Sequence, residues 1–203
     1  MSAHAVRAGR MSASERREQL LDATKAIVSR EGFHGVSIEA VAREAGVSRP
    51  IVYGHFHDLS GLLEALVERE GARALAQLAD VLPKDLGAGD PRASLLAALR
   101  GYLAAAQADP VTWRLVLMPP EGAPDVLRDR IESGRAAVLA ELAEAVRPGF
   151  GSGGGSPDPE LTARMLSAFA DEAVRLVLTD PERYPPDRIL AHADWSLQRL
   201  GPG

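Results

Sequence analysis

The chain has no cysteine among its 203 residues. Disulfides, thiolate metal sites and cysteine nucleophiles are therefore excluded. No apolar run is long enough to span a bilayer. The N-terminus carries Arg7 and Arg10 but no apolar stretch of the kind a signal peptide needs, so a cytoplasmic protein without membrane attachment is expected. Catalytic constellations are missing too. His192 has Asp194 near it, but no activated serine, metal-ligand cluster or phosphate loop accompanies the pair. The glycines at 149–155 follow a helical pattern rather than a strand and lack the Lys-Ser/Thr ending of a P-loop. No catalytic residue, metal or cofactor is expected.

An excess of positive charge is also lacking. The formal net charge is −5, the wrong sign for a nucleic-acid binder if it were spread evenly. It is not. Residues 1–60 hold eight Lys/Arg against seven Asp/Glu, whereas residues 61–203 hold fifteen against twenty-one. The acidity belongs to the C-terminal part, which leaves the N-terminal part free to approach an anion.

What is present is a strong local grammar over residues 36–56. Ser37 is a good N-cap, and Ile38, Val41, Ala42 and Ala45 recur with the period of one helical face. Gly46 stops that helix, and Val47 suits the corner after it. Ser48 caps the next helix, with Pro50 in its first turn. Val52 and Phe56 face inward, while Arg49, Pro50 and Tyr53 face outward. This is the spacing of a helix-turn-helix. An arginine near the start of the second helix suits a bidentate pair with guanine. Tyr53 and His55 suit phosphate oxygens, Gly54 lets the backbone come close to a duplex, and Pro50 and Ile51 offer apolar surface to a thymine methyl. A plain surface hairpin with one arginine has the same local pattern.

Elsewhere the pattern is helical throughout, which predicts an all-α fold. Ser12 with Glu15 forms a capping box, and Leu20, Leu21, Ala23, Ile27 and Val28 supply the apolar face of a helix that Gly32 ends. Further helices are expected from Asp58 to about Leu82, from Leu95 to Asp109-Pro110, over 125–146, over about 160–179 and over 187–200. Val111 to Met118 reads as a short apolar segment stopped by Pro119-Pro120. Residues 1–11 read as a disordered tail, 83–91 as a break, and 148–159 as a mobile loop rich in glycine and proline.

Residues 16–67 resemble the TetR family of bacterial transcriptional repressors. Arg17, Leu20, Leu21 and Ala23, then Glu31-Gly32-Phe33, Val36-Ser37-Ile38, Ala45-Gly46-Val47-Ser48, Val52-Tyr53-Gly54-His55-Phe56, and Leu62 and Leu63 carry the resemblance. Two positions depart from it: Ile51 stands where the family often has a hydroxyl residue, and Leu59 where it often has lysine. Fewer polar contacts to DNA are implied, with more reliance on Ser37, Tyr53 and His55. The resemblance implies an N-terminal three-helix DNA-binding domain (1–57, tail included) and a helical effector-binding and dimerisation domain (58–203). It implies a homodimer that reads an inverted-repeat operator in double-stranded DNA and is released by a small effector. The DNA contacts would fall to Ser37, Ser48, Arg49, Pro50, Tyr53, Gly54 and His55.

Pairing of the last two long helices with their copies would place Leu166, Ala173, Leu176, Val177 and Trp195 at the dimer interface; a helix buried within one monomer is the alternative. The pocket would be lined by Tyr102, Trp113, Leu117, Met118, Met165 and Phe169, largely apolar and adaptable. Those six suit an ordinary core at least as well. Asp171 and Glu172, in an otherwise apolar helix, suit either a polar group of a ligand or an interface or solvated position; the latter is preferred. Control by a protein partner without a small ligand, or an all-helical interaction protein, are the alternatives.

Overall fold

The structure, a computed structural model, describes residues 11–86, 89–118, 125–148 and 156–200. The expected tail over residues 1–10, the Pro119-Pro120 stop and the glycines at 149–155 lie outside them, as do the side chains of Val126 and Leu127. Among the described residues there is no strand. By its backbone packing the chain divides into two units, Met1–Leu66 and Val67–Gly203.

In the first unit, Ser12 opens α1 (Ala13–Glu31) with a reciprocal cap. The Glu15 amide donates to its hydroxyl at 3.2 Å, and its own amide donates to the Glu15 carboxylate at 2.7 Å. Two donors that a helix start leaves orphaned are satisfied this way. Gly32 ends α1, and a 3₁₀ turn at Phe33–Gly35, which the sequence reading missed, carries Phe33 into the core. Ser37 caps α2 (Ile38–Glu44), accepting from the Ala40 amide at 3.1 Å. Gly46 then stands at φ 65°, the left-handed region that glycine enters without a Cβ clash.

α3 (Arg49–Phe56) follows with Pro50 in its first turn. Ser48 occupies the N-cap position, but its side chain makes no capping bond, which corrects the expectation. Both amides that its hydroxyl would accept from are gone. Pro50 has none, and the Ile51 amide bonds to the Ser48 carbonyl at 3.0 Å.

Two side chains of α1 hold the ends of α2 and α3. Arg17 donates to the His55 carbonyl at 3.1 Å, and its guanidinium lies 4.4 Å from the centre of the Phe56 ring. Gln19 donates to the Ala45 carbonyl at 3.1 Å. These carbonyls lie at helix C-termini, where intrahelical partners run out and where positive charge is favoured. With Val41 and Val52 fully buried and Phe56 nearly so, α3 is fixed from behind and at its end.

α4 (Leu59–Val81) begins in the first unit, its start capped by Asp58, which accepts from the Gly61 amide at 2.8 Å. It runs on into the second unit, where three helices begin with the same dipeptide. Asp90-Pro91 opens α5 (Pro91–Ala108), Asp109-Pro110 opens α6 (Pro110–Leu117), and Asp158-Pro159 opens a later helix, Pro159–Thr179. In each the aspartate accepts from amides of the first turn, and the proline sits where its missing N–H costs nothing. The short apolar segment is thus the helix α6. Between Asp109-Pro110 and Asp158-Pro159 lies α7 (Asp125–Val146), so the helix at Pro159–Thr179 is α8; α9 (Pro186–Leu200) closes the chain. The expected break at 83–91 is pinned at one point. Leu86 is fully buried, and its amide donates to the Ala145 carbonyl at the end of α7 at 2.9 Å.

α8 packs against α5, α6 and α7, and α9 packs against α5. Trp113, Leu103 and Val174 are buried in one apolar cluster of this unit. Gly101 admits close packing of α5, since a Cβ there would stand 2.5 Å from Val81 of α4. The C-termini of α6 and α8 exchange arginines: Arg114 donates to the Leu178 carbonyl at 2.8 Å and Arg175 to the Leu117 carbonyl at 3.3 Å.

Replacing Arg17 by alanine removes a charge-assisted hydrogen bond and a cation–π contact at once. We expect a loss of about 1–2 kcal/mol, read as faster amide exchange across α3 in the full chain. Unchanged exchange there would remove Arg17 from this role.

Candidate functional site

In the first unit, positions 49, 50, 53 and 54 share one face of α3, as their helical spacing requires, opposite buried Val52 and Phe56. Arg49, Pro50, Tyr53 and Gly54 are exposed, with Tyr53 at 51%. Nothing lies within 4 Å of a Cβ built on Gly54. Arg49 is paired with the Glu39 carboxylate of α2, and the two side chains remain 61% and 67% exposed. A pair so wet contributes about 0–1 kcal/mol, so Arg49 can exchange the carboxylate for another acceptor at little cost.

Ser37 and Ser48 are exposed at the starts of α2 and α3. The Ser37 hydroxyl accepts within its own cap but keeps its proton to donate elsewhere. His55 is half-buried, and Ile51 is 39% exposed beside this face. The face thus combines one guanidinium, hydroxyls and a spot bare of side chain, which suits hydrogen bonding to base edges and phosphates.

The second unit contains two cavities, each of about 360 Å³. The first lies among α4, α6, α7 and α8, and Tyr102, Trp113 and Leu117 help to line it. The second, among α4, α5, α7, α8 and α9, takes Tyr102, Met165 and Phe169 into its wall. Of the six residues expected around a single pocket, Tyr102 alone touches both cavities. Met118 lines neither and packs on the main core cluster instead.

The expected dimer surface also needs correction. Ala173 and Val177 are 4% and 3% exposed within this chain's own core, and Leu176 packs against that core. Leu166 lines the second cavity. Trp195, by contrast, is 50% exposed. The large apolar residues that α8 leaves in water are Leu161, Met165 and Phe169, four apart. Sequence periodicity marked the stripe as wide but did not say which edge stays outside.

Two acidic groups carry the polarity of this unit. The preference for Asp171 as a solvated or interface residue is overturned: it is buried, with Tyr102 Oη donating to its Oδ1 at 3.0 Å and the Arg135 guanidinium 3.1 Å from its Oδ2. Glu172 is the exposed member of the pair and sits 3.4 Å from Arg175. Glu70 of α4 was missed altogether. It is 1% exposed, accepts from Arg69 at 2.8 Å and from Arg73 at 3.1 Å, and is bonded by the Thr112 hydroxyl. Its one sequence signal is a carboxylate spaced four residues from both Leu66 and Ala74, on an apolar face.

Burial pushes the Asp171 carboxyl above its ordinary value, against the opposing pull of Arg135, the Tyr102 hydrogen bond and Arg175. Burial and then the Asp171 charge drive the Tyr102 hydroxyl far above the phenol range. A raised carboxyl binds more protons folded than unfolded, so its contribution to stability falls as pH rises from the ordinary carboxylate value through the raised one. An asparagine in its place would be uncharged throughout, and Arg135, 43% exposed, can rehydrate. Asp171→Asn is therefore expected to raise the thermal midpoint at neutral pH and to flatten the stability profile above the ordinary carboxylate value. A lowered midpoint in thermal melts would contradict this.

Comparison with known proteins places these features. Residues 20–66 match the model of the bacterial regulatory proteins, tetR family. The HTH-type transcriptional regulator BetI of Yersinia pestis (strain Pestoides F) is 42% identical over 86 residues, 42% of this chain and 43% of that protein. The chain thus spans under half the length of the curated relatives it matches. A TetR-like transcriptional regulator from Rhodococcus sp. RHA1 shares the fold with a TM-score of 0.72 at 23% identity, over 95% of this chain and all of that one. A SmeT–triclosan complex shares it with a TM-score of 0.69 at 24% identity, over 91% of this chain and 90% of the other. The helix-turn-helix of the first unit and the all-helical fold are thereby shown.

Proposed function

We infer that the chain is a regulator of the tetR type, a reading supported by the match of residues 20–66 to the tetR family model. It is a DNA-binding protein rather than an enzyme. We propose a homodimeric repressor, working in the cytoplasm, that lays α3 of each copy into the major groove of an inverted-repeat operator. A small, largely apolar effector held in the second unit releases it.

The observation that carries this reading is the exposed face of α3, whose other side is buried and whose end is held by Arg17. On the duplex, Arg49 would leave Glu39 for a guanine edge. Ser37, Ser48, Tyr53 and His55 would bond the backbone, and Pro50 and Gly54 would allow the approach. One helix offers few base contacts, so two half-sites read by a twofold pair would add theirs. Leu161, Met165, Phe169 and Trp195 supply exposed apolar surface for that pairing.

Two features favour an effector over control by a protein partner: a pair of roomy apolar cavities, and the fact that a protein of the same fold is described in complex with triclosan. Release follows if the effector prefers a dimer whose two α3 helices are wrongly spaced for the operator. α4 is suited to carry that preference, since it lines the first cavity through Glu70 and Leu75 and starts directly after α3.

Arg49→Ala should weaken binding to the specific operator by about 1–3 kcal/mol per half-site contact and barely change binding to random DNA. Gel shifts on the DNA upstream of its own gene, against a scrambled duplex, measure both. Equal losses on the two would remove Arg49 from the base-reading role.

A further inference from the structure

The two cavities meet at a polar point. Leu78, Tyr102, Val138, Ser167 and Asp171 line both. Around the second cavity Asp171 is the sole charged residue in the wall among the described residues. Around the first, the buried carboxylate of Glu70 is already engaged by Arg69, Arg73 and Thr112. Asp171 differs. A carboxylate accepts about four hydrogen bonds, and the structure gives this one Tyr102 and Arg135.

The charge of the polar point sorts possible occupants. A ligand carboxylate would meet Asp171 across an apolar, poorly screening space. A ligand ammonium would be drawn to Asp171 but would lose its hydration beside Arg135; the second cavity offers no second acid among its described residues, and of the first cavity's two others, Glu70 is engaged by Arg69, Arg73 and Thr112 while Glu68 is exposed. An uncharged donor adds a hydrogen bond to an ionised acceptor without burying a new charge.

We propose, resting on the effector reading above, that the chain's ligand is an uncharged, largely apolar molecule with a hydroxyl or similar donor that bonds Asp171 where the two cavities join. The carboxylate selects for the donor, and the aliphatic walls on either side accept the apolar body.

The test uses the full chain with Trp195→Phe, kept only if gel filtration gives it the oligomeric state of the unaltered chain, which leaves Trp113 in the cavity wall as the single tryptophan reporter. Four probes on one skeleton are titrated by Trp113 emission and calorimetry: para-hexylphenol, its methyl ether, para-hexylbenzoate and para-hexylbenzylammonium. The phenol should bind about tenfold more tightly than each of the others. Asp171→Asn should erase most of the phenol's advantage over its ether while leaving the ether's affinity unchanged. Glu172→Gln, altering the exposed neighbour, should change none of the four. Tightest binding by the benzoate or the ammonium overturns the assignment of ligand class, as does an equal loss of phenol and ether in Asp171→Asn. Either result leaves the effector reading standing. Failure of all four to bind overturns the assignment and counts against the effector reading as well.

Discussion

The surface that matters most is fixed by a hydrogen bond behind it, from Arg17 of α1 to the carbonyl of His55. A helix of eight residues such as α3 leaves half of its carbonyls without intrahelical partners. Left to water, so short an element would fray, because helix nucleation is costly and few bonds repay it. Closing its C-terminal end with a guanidinium that also covers Phe56 holds α3 against α1. Gln19 does the same for α2. The device recurs in the second unit. There the C-termini of α6 and α8 face positive side chains from each other, Arg114 on one and Arg175 on the other, so two like dipole ends lie close without mutual penalty.

How far the sequence disclosed this depends on whether the signal was local. Caps, stops and helical periods involve neighbours along the chain, so Ser12 with Glu15, Ser37, Gly32 and Gly46 were legible as punctuation. The outward face of α3 was legible for the same reason. Ser48 misled because a capping residue was judged by type, while the amides it would accept from were already removed by Pro50 and by its own carbonyl. Arg17 and Gln19 were visible as polar residues on α1, but their partners lie 38 and 26 positions away. Nothing local announces such a bond.

The same limit explains the second unit. Ala173 and Val177 read as a seam for a partner because an apolar stripe does not say whether its cover comes from the same chain. α5, α6 and α7 pack on α8 here, and Leu161, Met165 and Phe169 are the edge left over. Asp171 read as solvated because carboxylates are rarely buried unless paired, and its pairing with Tyr102 and Arg135 comes from α5 and α7. A buried acid whose carboxyl burial pushes above its ordinary value is a candidate for a functional role. That is consistent with its position where the two cavities join.

The central claim is that the α3 face set by Arg17 is the surface that meets DNA. Hydrogen–deuterium exchange of the full chain, with and without a duplex carrying its upstream DNA, reads that surface without altering a residue. The account predicts protection concentrated over residues 37–55, strongest at the start of α3. Unchanged exchange over α3, with new protection confined to the second unit, would contradict it.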